Sequence, residues 1–138
     1  MRLRPAAPED LPRIHDVRHG TAENRLEDLS LVTPEEVLWY LEHGVFLVAE
    51  DKESIQGFVC ANLQTGYVWA LFVIDGQQGR GFGTALLDAA MARLREAGHR
   101  QSFLLTGEGS RAEGFYAARG WRAMGRALDG HVVYRLWL

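Results

Sequence analysis

The sequence contains a single cysteine, Cys60. One cysteine excludes an internal disulfide, and its place in an apolar run reads as a small buried side chain rather than a nucleophile, so a reducing compartment is expected. A long hydrophobic segment is also missing. The longest apolar run, Tyr67 to Ile74, is far shorter than the roughly 20 residues a helix needs to cross a bilayer. Met1 to Leu11 mixes charge, proline and small residues, without the apolar stretch of a secretion signal. A cytoplasmic protein with no membrane partner is therefore expected. Nor is there an excess of basic charge: a formal net charge of -3 argues against a nucleic-acid-backbone binder, which needs a lysine- and arginine-rich face, so no nucleic-acid partner is expected. A mildly acidic surface instead tolerates cationic partners such as amines. The five histidines show no metal-site spacing, and no metal is expected. No repeat, linker or low-complexity tract interrupts the chain, and 138 residues, 47% of them hydrophobic and 24% charged, suit one compact domain over 1–138.

Periodicity supplies the elements. Arg2-Leu3-Arg4 is weakly strand-like, and Pro8-Glu9-Asp10 opens a helix on which Leu11, Ile14 and Val17 recur at helical spacing, Pro12 falling in the tolerant first turn. A short helical stretch covers about Ala22 to Leu29. Thr33-Pro34-Glu35-Glu36 is a capping-box pattern that starts a helix running to His43 and stopping at Gly44. The period then changes to that of strands over Val45–Glu50, Gln56–Leu63 and Tyr67–Ile74, whose short connections predict antiparallel pairing. A helix over Gly81–Ala97 has Leu87, Met91 and Leu94 on one face. The strand Gln101–Leu105 must then lie parallel to Tyr67–Ile74 if the helix crosses over with the usual right hand. Ser110 and Glu113 form a second capping box for a helix ending at Gly120, and Trp121–Arg126 and His131–Leu138 close the chain as a hairpin. The fold class is α/β with a mixed sheet and one parallel βαβ crossover, and a ligand site is expected at that crossover.

The sharpest local signal is Gln78-Gly79-Arg80-Gly81-Phe82-Gly83-Thr84, between an apolar strand and an amphipathic helix. Alternate glycines let the backbone approach a ligand and turn N–H groups inward, and the first helical turn adds unpaired N–H groups at the positive dipole end. Arg80 adds a formal charge. A Walker A loop is excluded because no glycine-lysine-serine/threonine follows. A dinucleotide loop is excluded because Leu86 stands where the third glycine belongs and no acidic residue ends the Gln101–Leu105 strand.

The loop resembles the pyrophosphate signature of the GNAT superfamily of acetyl-CoA-dependent N-acetyltransferases, met here by Gln78, Gly81 and Gly83. Leu71-Phe72-Val73 leads into it as in that family, and Ala112, Phe115-Tyr116 and Gly120-Trp121 resemble the family's later motif. The resemblance covers nearly the whole chain. It implies a central, mostly antiparallel sheet of about seven strands flanked by about four helices. It implies acetyl-CoA as co-substrate in a cleft where Tyr67–Ile74 and Gln101–Leu105 splay apart. The pantetheine arm would pair with the backbone of Leu71, Phe72 and Val73, and the pyrophosphate would lie on the N–H groups of Gly79, Arg80, Gly81, Phe82, Gly83 and Thr84. An N–H near Val73 would polarise the thioester carbonyl, and Tyr116 would protonate the CoA sulfur. Gly109 stands where many members have asparagine, a departure that either removes a side-chain contact to the cofactor or to a proton relay or leaves Ser110 or Glu108 to supply it.

The general base stays open among Glu23, Glu27, Asp28, His15, His19, His131 and a water chain, because Tyr67, Trp69 and Leu71 occupy the central strand where some members carry a glutamate. Trp39, Tyr40, Tyr67 and Trp69 are candidates either for the core or for an acceptor pocket that holds an apolar or cationic group. Two functions follow: an N-acetyltransferase for the amine of a small molecule or peptide, or a catalytically silent acyl-CoA-binding module. The apolar last strand, placed at a sheet edge, predicts a homodimer.

Overall fold

A computed structural model describes residues 1–19 and 34–138. Along the described chain the elements are β1 (Arg2–Pro5), a 3₁₀ turn (Pro8–Asp10), α1 (Leu11–His19), α2 (Pro34–His43), β2 (Val45–Asp51), β3 (Ser54–Ala61), β4 (Val68–Val73), α3 (Phe82–Glu96), β5 (Gln101–Thr106), α4 (Arg111–Ala118), β6 (Arg122–Arg126) and β7 (Val132–Trp137). The helix expected near 22–29 and the Thr33 cap lie outside the described residues. β3 begins two residues before its expected start because Lys52 and Glu53, at φ of 54° and 64°, make a two-residue turn that pairs Asp51 with Ser54. Two successive left-handed residues match the twist of a hairpin, but neither is glycine, so composition does not announce the turn.

The seven strands form two antiparallel sheets, β1-β2-β3-β4 and β5-β7-β6, rather than one continuous mixed sheet. Their parallel contact is a single bridge between Tyr67 and Phe103. It is fastened by Gly66, whose carbonyl accepts the Phe103 N–H at 3.3 Å and the buried Ser102 hydroxyl at 2.7 Å. β7 is the middle strand of its sheet, hydrogen-bonded to both β5 and β6, because the chain after α4 returns to the outside as β6. It is therefore not an edge strand, and the argument for a homodimer loses its premise.

Strand alternation sorts the first sheet's side chains into two cores. Val45, Leu47 and Ala49 of β2 and Val59 and Ala61 of β3 pack with Leu86, Leu87 and Leu94 of α3. Phe46 and Val48 of β2 and Ile55, Phe58 and Cys60 of β3 pack with Ile14 and Val17 of α1 and Tyr40 of α2. Full burial of a leucine contributes about 1.5–3 kcal/mol, and the three leucines of α3 are wholly enclosed. Burial also raises the Cys60 thiol pKa well above its ordinary value, as a structural cysteine requires.

β4 breaks the alternation. Val68, Leu71 and Val73 face the α3 side, whereas Trp69, Ala70 and Phe72 all belong to the other core. Two adjacent residues on one face mark a bulge, and the register confirms it: Ala61 pairs with Val68 and Cys60 with Ala70, leaving Trp69 as the extra residue. A bulged strand bends, and β4 leaves β5 directly after the Tyr67–Phe103 bridge.

Candidate functional site

The separation of β4 from β5 opens a cleft of about 270 Å³, lined by Leu71, Phe72 and Val73 of β4, Gln78, Gly79 and Gly83 of the glycine loop and helix start, and Arg111, Ala112, Phe115 and Tyr116 of α4. Along β4 the Ile74 N–H bonds the Gln56 carbonyl at 2.9 Å. By the alternation of an antiparallel ladder, the main-chain groups of Phe72 also turn to β3, while those of Leu71 and Val73 turn to the cleft edge.

The loop is built from the inside. The Gln78 amide donates to the Val73 carbonyl and to Asp75 Oδ1, both at 3.0 Å, and its oxygen accepts the Gly76 N–H at 3.0 Å, so this side chain braces the bend. Gly79 and Gly81 have φ of 83° and 89°, with open space where a side chain would stand. They are glycines because the backbone is left-handed, not because the site is crowded. Gly81 is the N-cap of α3, so the N–H groups of Phe82, Gly83 and Thr84 form its unsatisfied first turn at the positive end of the helix dipole. Gly83 is glycine for a second reason: a Cβ there would lie 3.3 Å from the Phe115 ring.

Other expected site side chains point elsewhere. Phe82 is buried in the core, so only its backbone faces the loop. Arg80 donates to Gln77 and to Asp51 and lies over the Phe82 ring, which places its charge beside the loop and outside the cleft lining. The Thr84 hydroxyl accepts from Arg119, whose guanidinium also stacks 3.8 Å from the Phe115 ring centroid and ties α4 to the start of α3. Ser110 does not cap α4 with its side chain; its hydroxyl lies 3.3 Å from that of Thr106. The reciprocal capping box is therefore absent. Glu113 accepts instead from the Gly109 N–H at 2.7 Å and the Tyr134 hydroxyl at 2.8 Å, fixing the helix start to β7. With α4 so held, the one-turn spacing of Ala112 and Tyr116 brings both to the cleft, and Tyr116 is nearly enclosed among Phe115, Trp121 and Tyr134.

A second cavity of about 540 Å³ lies on the opposite face of β4, between α1, α2 and the sheet, and shares Phe72 with the cleft. Trp69 is the one of the four singled-out aromatics in its wall. Tyr40 stacks behind Trp69 at 4.5 Å and 7°, and burial pushes the Tyr40 pKa up to about 12. Trp39 packs edge-on against Tyr40, and Tyr67 against Phe103 at the strand junction. His15 and His19 line this cavity with ring centroids 4.0 Å apart, one helical turn separating them. Desolvation, helped by His15 and Arg18, lowers the His19 pKa and favours its neutral form. His131 lies on the β6–β7 turn beside Asp129, in neither lining, and Glu23, Glu27 and Asp28 lie outside the described residues. Among the described residues no group of three acidic, histidine or cysteine side chains is arranged to hold a metal, and no helix is long and apolar enough to cross a membrane.

Residues 11–121 match the family model described as the acetyltransferase (GNAT) family. The chain belongs to that family. Solved structures share the GNAT architecture at low identity. The PaiA N-acetyltransferase of Thermoplasma acidophilum in complex with coenzyme A is 13% identical with a TM-score of 0.81, the alignment covering 99% of this chain and 98% of that one. The ribosomal-protein-S18-alanine N-acetyltransferase of Escherichia coli is 15% identical with a TM-score of 0.79, covering 99% and 92%. An aminoglycoside 6′-N-acetyltransferase complexed with coenzyme A is 16% identical with a TM-score of 0.81, covering 99% and 97%. No match was found among curated protein sequences.

Within this GNAT frame, the cleft gathers seven of the expected positions, Leu71, Phe72, Val73, Gln78, Gly79, Gly83 and Tyr116. It adds Arg111 and the wall of Ala112 and Phe115, which periodicity could have supplied, since Arg111 and Phe115 are four apart and so are Ala112 and Tyr116. His15 and His19 were legible only as residue types suited to a base, and the face they share follows from the packing of α1 on β3 and β4.

Proposed function

We propose that this GNAT chain is an acetyl-CoA-dependent N-acetyltransferase that acts on the amine of a small molecule or peptide. The observation that carries this reading is the cleft itself: one strand edge, one left-handed glycine loop and one buried tyrosine meet where β4 parts from β5. The residues fit the co-substrate, since Gly79 and Gly81 hold the loop open with no side chain in the space and the first turn of α3 directs N–H groups toward an anion. Two structural neighbours hold coenzyme A, in keeping with this assignment. A cytoplasmic place belongs to the same reading and rests on the lone buried Cys60.

Acetyl-CoA supplies the acyl group: the neutral amine nitrogen bonds the thioester carbon as the C–S bond breaks, and one amine proton is released as another appears on the thiol. This chain's own residues do the rest. The cleft-facing backbone of Leu71 and Val73 aligns the pantetheine arm, and an N–H near Val73 meets charge developing on the carbonyl oxygen. Tyr116 gives its proton to the departing sulfur and is reprotonated from the amine nitrogen or water. His15 and His19, the former base candidates that line the second cavity, take the first proton from the ammonium, a role that the depressed His19 pKa favours. Gly109 contributes only its N–H, to Glu113. Release of free thiol from acetyl-CoA across an amine panel tests the proposal. Thiol release that depends on an amine supports it; acetyl-CoA binding without release for any amine makes the chain a silent acyl-CoA-binding module.

A further inference from the structure

The second cavity differs from the cleft in its material. Val37, Leu38, Phe46, Phe58, Trp69 and Phe72 dominate its wall, and the polar side chains among the described lining residues, His15, Arg18 and His19, all belong to α1. Among the described residues no carboxylate occurs in that lining. Its volume of about 540 Å³ exceeds that of the cleft and falls within the usual range of small-molecule sites, about 300–1,000 Å³. The wall is rigid where it matters: the bulge aims Trp69 to the cavity side, Tyr40 backs its ring, and Phe46, Phe58 and Phe72 touch in series at 5.9 and 5.4 Å. Phe72 lies in both linings, so the two chambers meet across β4 at the point where that strand leaves β5.

From this we infer that the acceptor is a primary amine attached to an aromatic or branched apolar body, seated against Trp69, Phe58 and Phe46 with its nitrogen toward Phe72. The inference rests on the transferase reading for the use of that nitrogen, and on the cavity alone for the ligand class. An apolar body gains from leaving water for this wall, and the Arg18 guanidinium, 6.0 Å from the Phe72 ring centroid, favours the neutral, reactive form of the single amine placed there. A polycationic acceptor does not, because each further ammonium would be desolvated beside three nitrogen-bearing side chains with no carboxylate in the described lining to pair with it. Both a free arylalkylamine and the N-terminus of a peptide that begins with an aromatic or branched residue present this chemistry.

The test compares phenethylamine and tryptamine, a phenylalanyl peptide amide, spermidine and kanamycin in thiol release from acetyl-CoA, with calorimetric binding of phenethylamine measured in parallel. Leu38→Asp serves as the variant, since Leu38 is partly exposed at 45% and its replacement adds a carboxylate to the lining without emptying the core. The expected result is a kcat/KM for the aromatic amines at least about tenfold above that for spermidine or kanamycin, as an apolar pocket discriminates. In Leu38→Asp that preference should fall by a similar factor, with acetyl-CoA affinity unchanged. The phenylalanyl amide separates the two sources: turnover comparable with phenethylamine points to peptide N-termini, and its exclusion points to free amines. Preference for spermidine or kanamycin, or an unchanged preference in Leu38→Asp, overturns the inference. If no amine releases thiol, the transferase reading fails by itself; saturable phenethylamine binding lost in Leu38→Asp would then still uphold the ligand class, and no binding would refute it.

Discussion

The two cavities flanking β4 are made of different things. On the α3 and α4 side the cleft is framed by a strand edge, left-handed glycines and a helix N-terminus, with Arg111, Phe115 and Tyr116 of α4 forming its further wall. On the α1 and α2 side the chamber is framed by side chains drawn from five elements and is mostly aromatic and aliphatic. In the proposed transferase the backbone groups of the cleft hold the anionic and amide-bearing carrier. In the proposed transferase this side-chain chamber takes the acceptor.

Changes on the cleft side should be severe and chemical. Tyr116→Phe keeps the ring packed against Trp121 and Tyr134 but removes the proton donor, so kcat should fall by about 10²- to 10⁴-fold while acetyl-CoA affinity stays the same. Steady-state thiol release with parallel calorimetry checks this, and equal turnover from pH 6 to 9 would make Tyr116 a packing residue. Gly81→Asp should come next. It forces a side chain onto a left-handed residue and a negative charge onto the anion loop, so the stabilisation by a hundredfold excess of acetyl-CoA over its Kd, about 2.7 kcal/mol, should vanish from thermal melts.

What could be read from residue order divides along the same line. Positive φ, alternate glycines and a helix start are local, which is why the loop from Gln78 to Thr84 and the strand before it were legible. The Phe-Tyr pair was legible through its resemblance to the family's later motif, which is also a short, local pattern. The bulge at Trp69 was not, since it exists only relative to the pairing of Cys60 and Ala61 on β3. Nor was the place of β7: which strand lies at an edge depends on where β6 returns, a non-local choice that leaves hydrophobicity unchanged. Lys52 and Glu53 adopt left-handed conformations that their residue types do not signal. Ser110 and Glu113 carry the letters of a capping box, but Tyr134 and Gly109 compete for the carboxylate and win.

Changes on the α1 side should be milder and should spare acetyl-CoA. His19→Gln removes a base held neutral by desolvation and by neighbouring His15 and Arg18, with Asp16 opposing them. In the parent, the acid limb of kcat/KM should lie below the ordinary histidine range near 6.5. In the variant that limb should move or disappear, and a superimposable pH profile would remove His19 from the proton path. The smallest effect concerns the anchoring of α1. Arg4, which also pairs with Glu50, binds Asp10 through both terminal nitrogens, and these bonds foremost, with the one from the Ala7 N–H, hold the Asp10 carboxyl below its usual pKa. A depressed folded-state pKa contributes stability above the unfolded value near 3.9, and that stability is lost as pH falls through the folded value. Asp10→Asn should therefore cost only about 1 kcal/mol at pH 7, given partial solvent screening, and the cost should shrink below pH 4. Chemical denaturation at both pH values measures it.

The claim that carrier and acceptor approach β4 from opposite faces is tested most directly by hydrogen–deuterium exchange with each ligand alone. Acetyl-CoA should slow exchange at the amides of residues 79–84 and of Leu71 to Val73 and leave α1 at its free rate, whereas phenethylamine should slow exchange in α1 and around Trp69 and leave the loop unchanged. Protection of α1 by acetyl-CoA with none at residues 79–84, or protection by both ligands of the same face, would contradict the account.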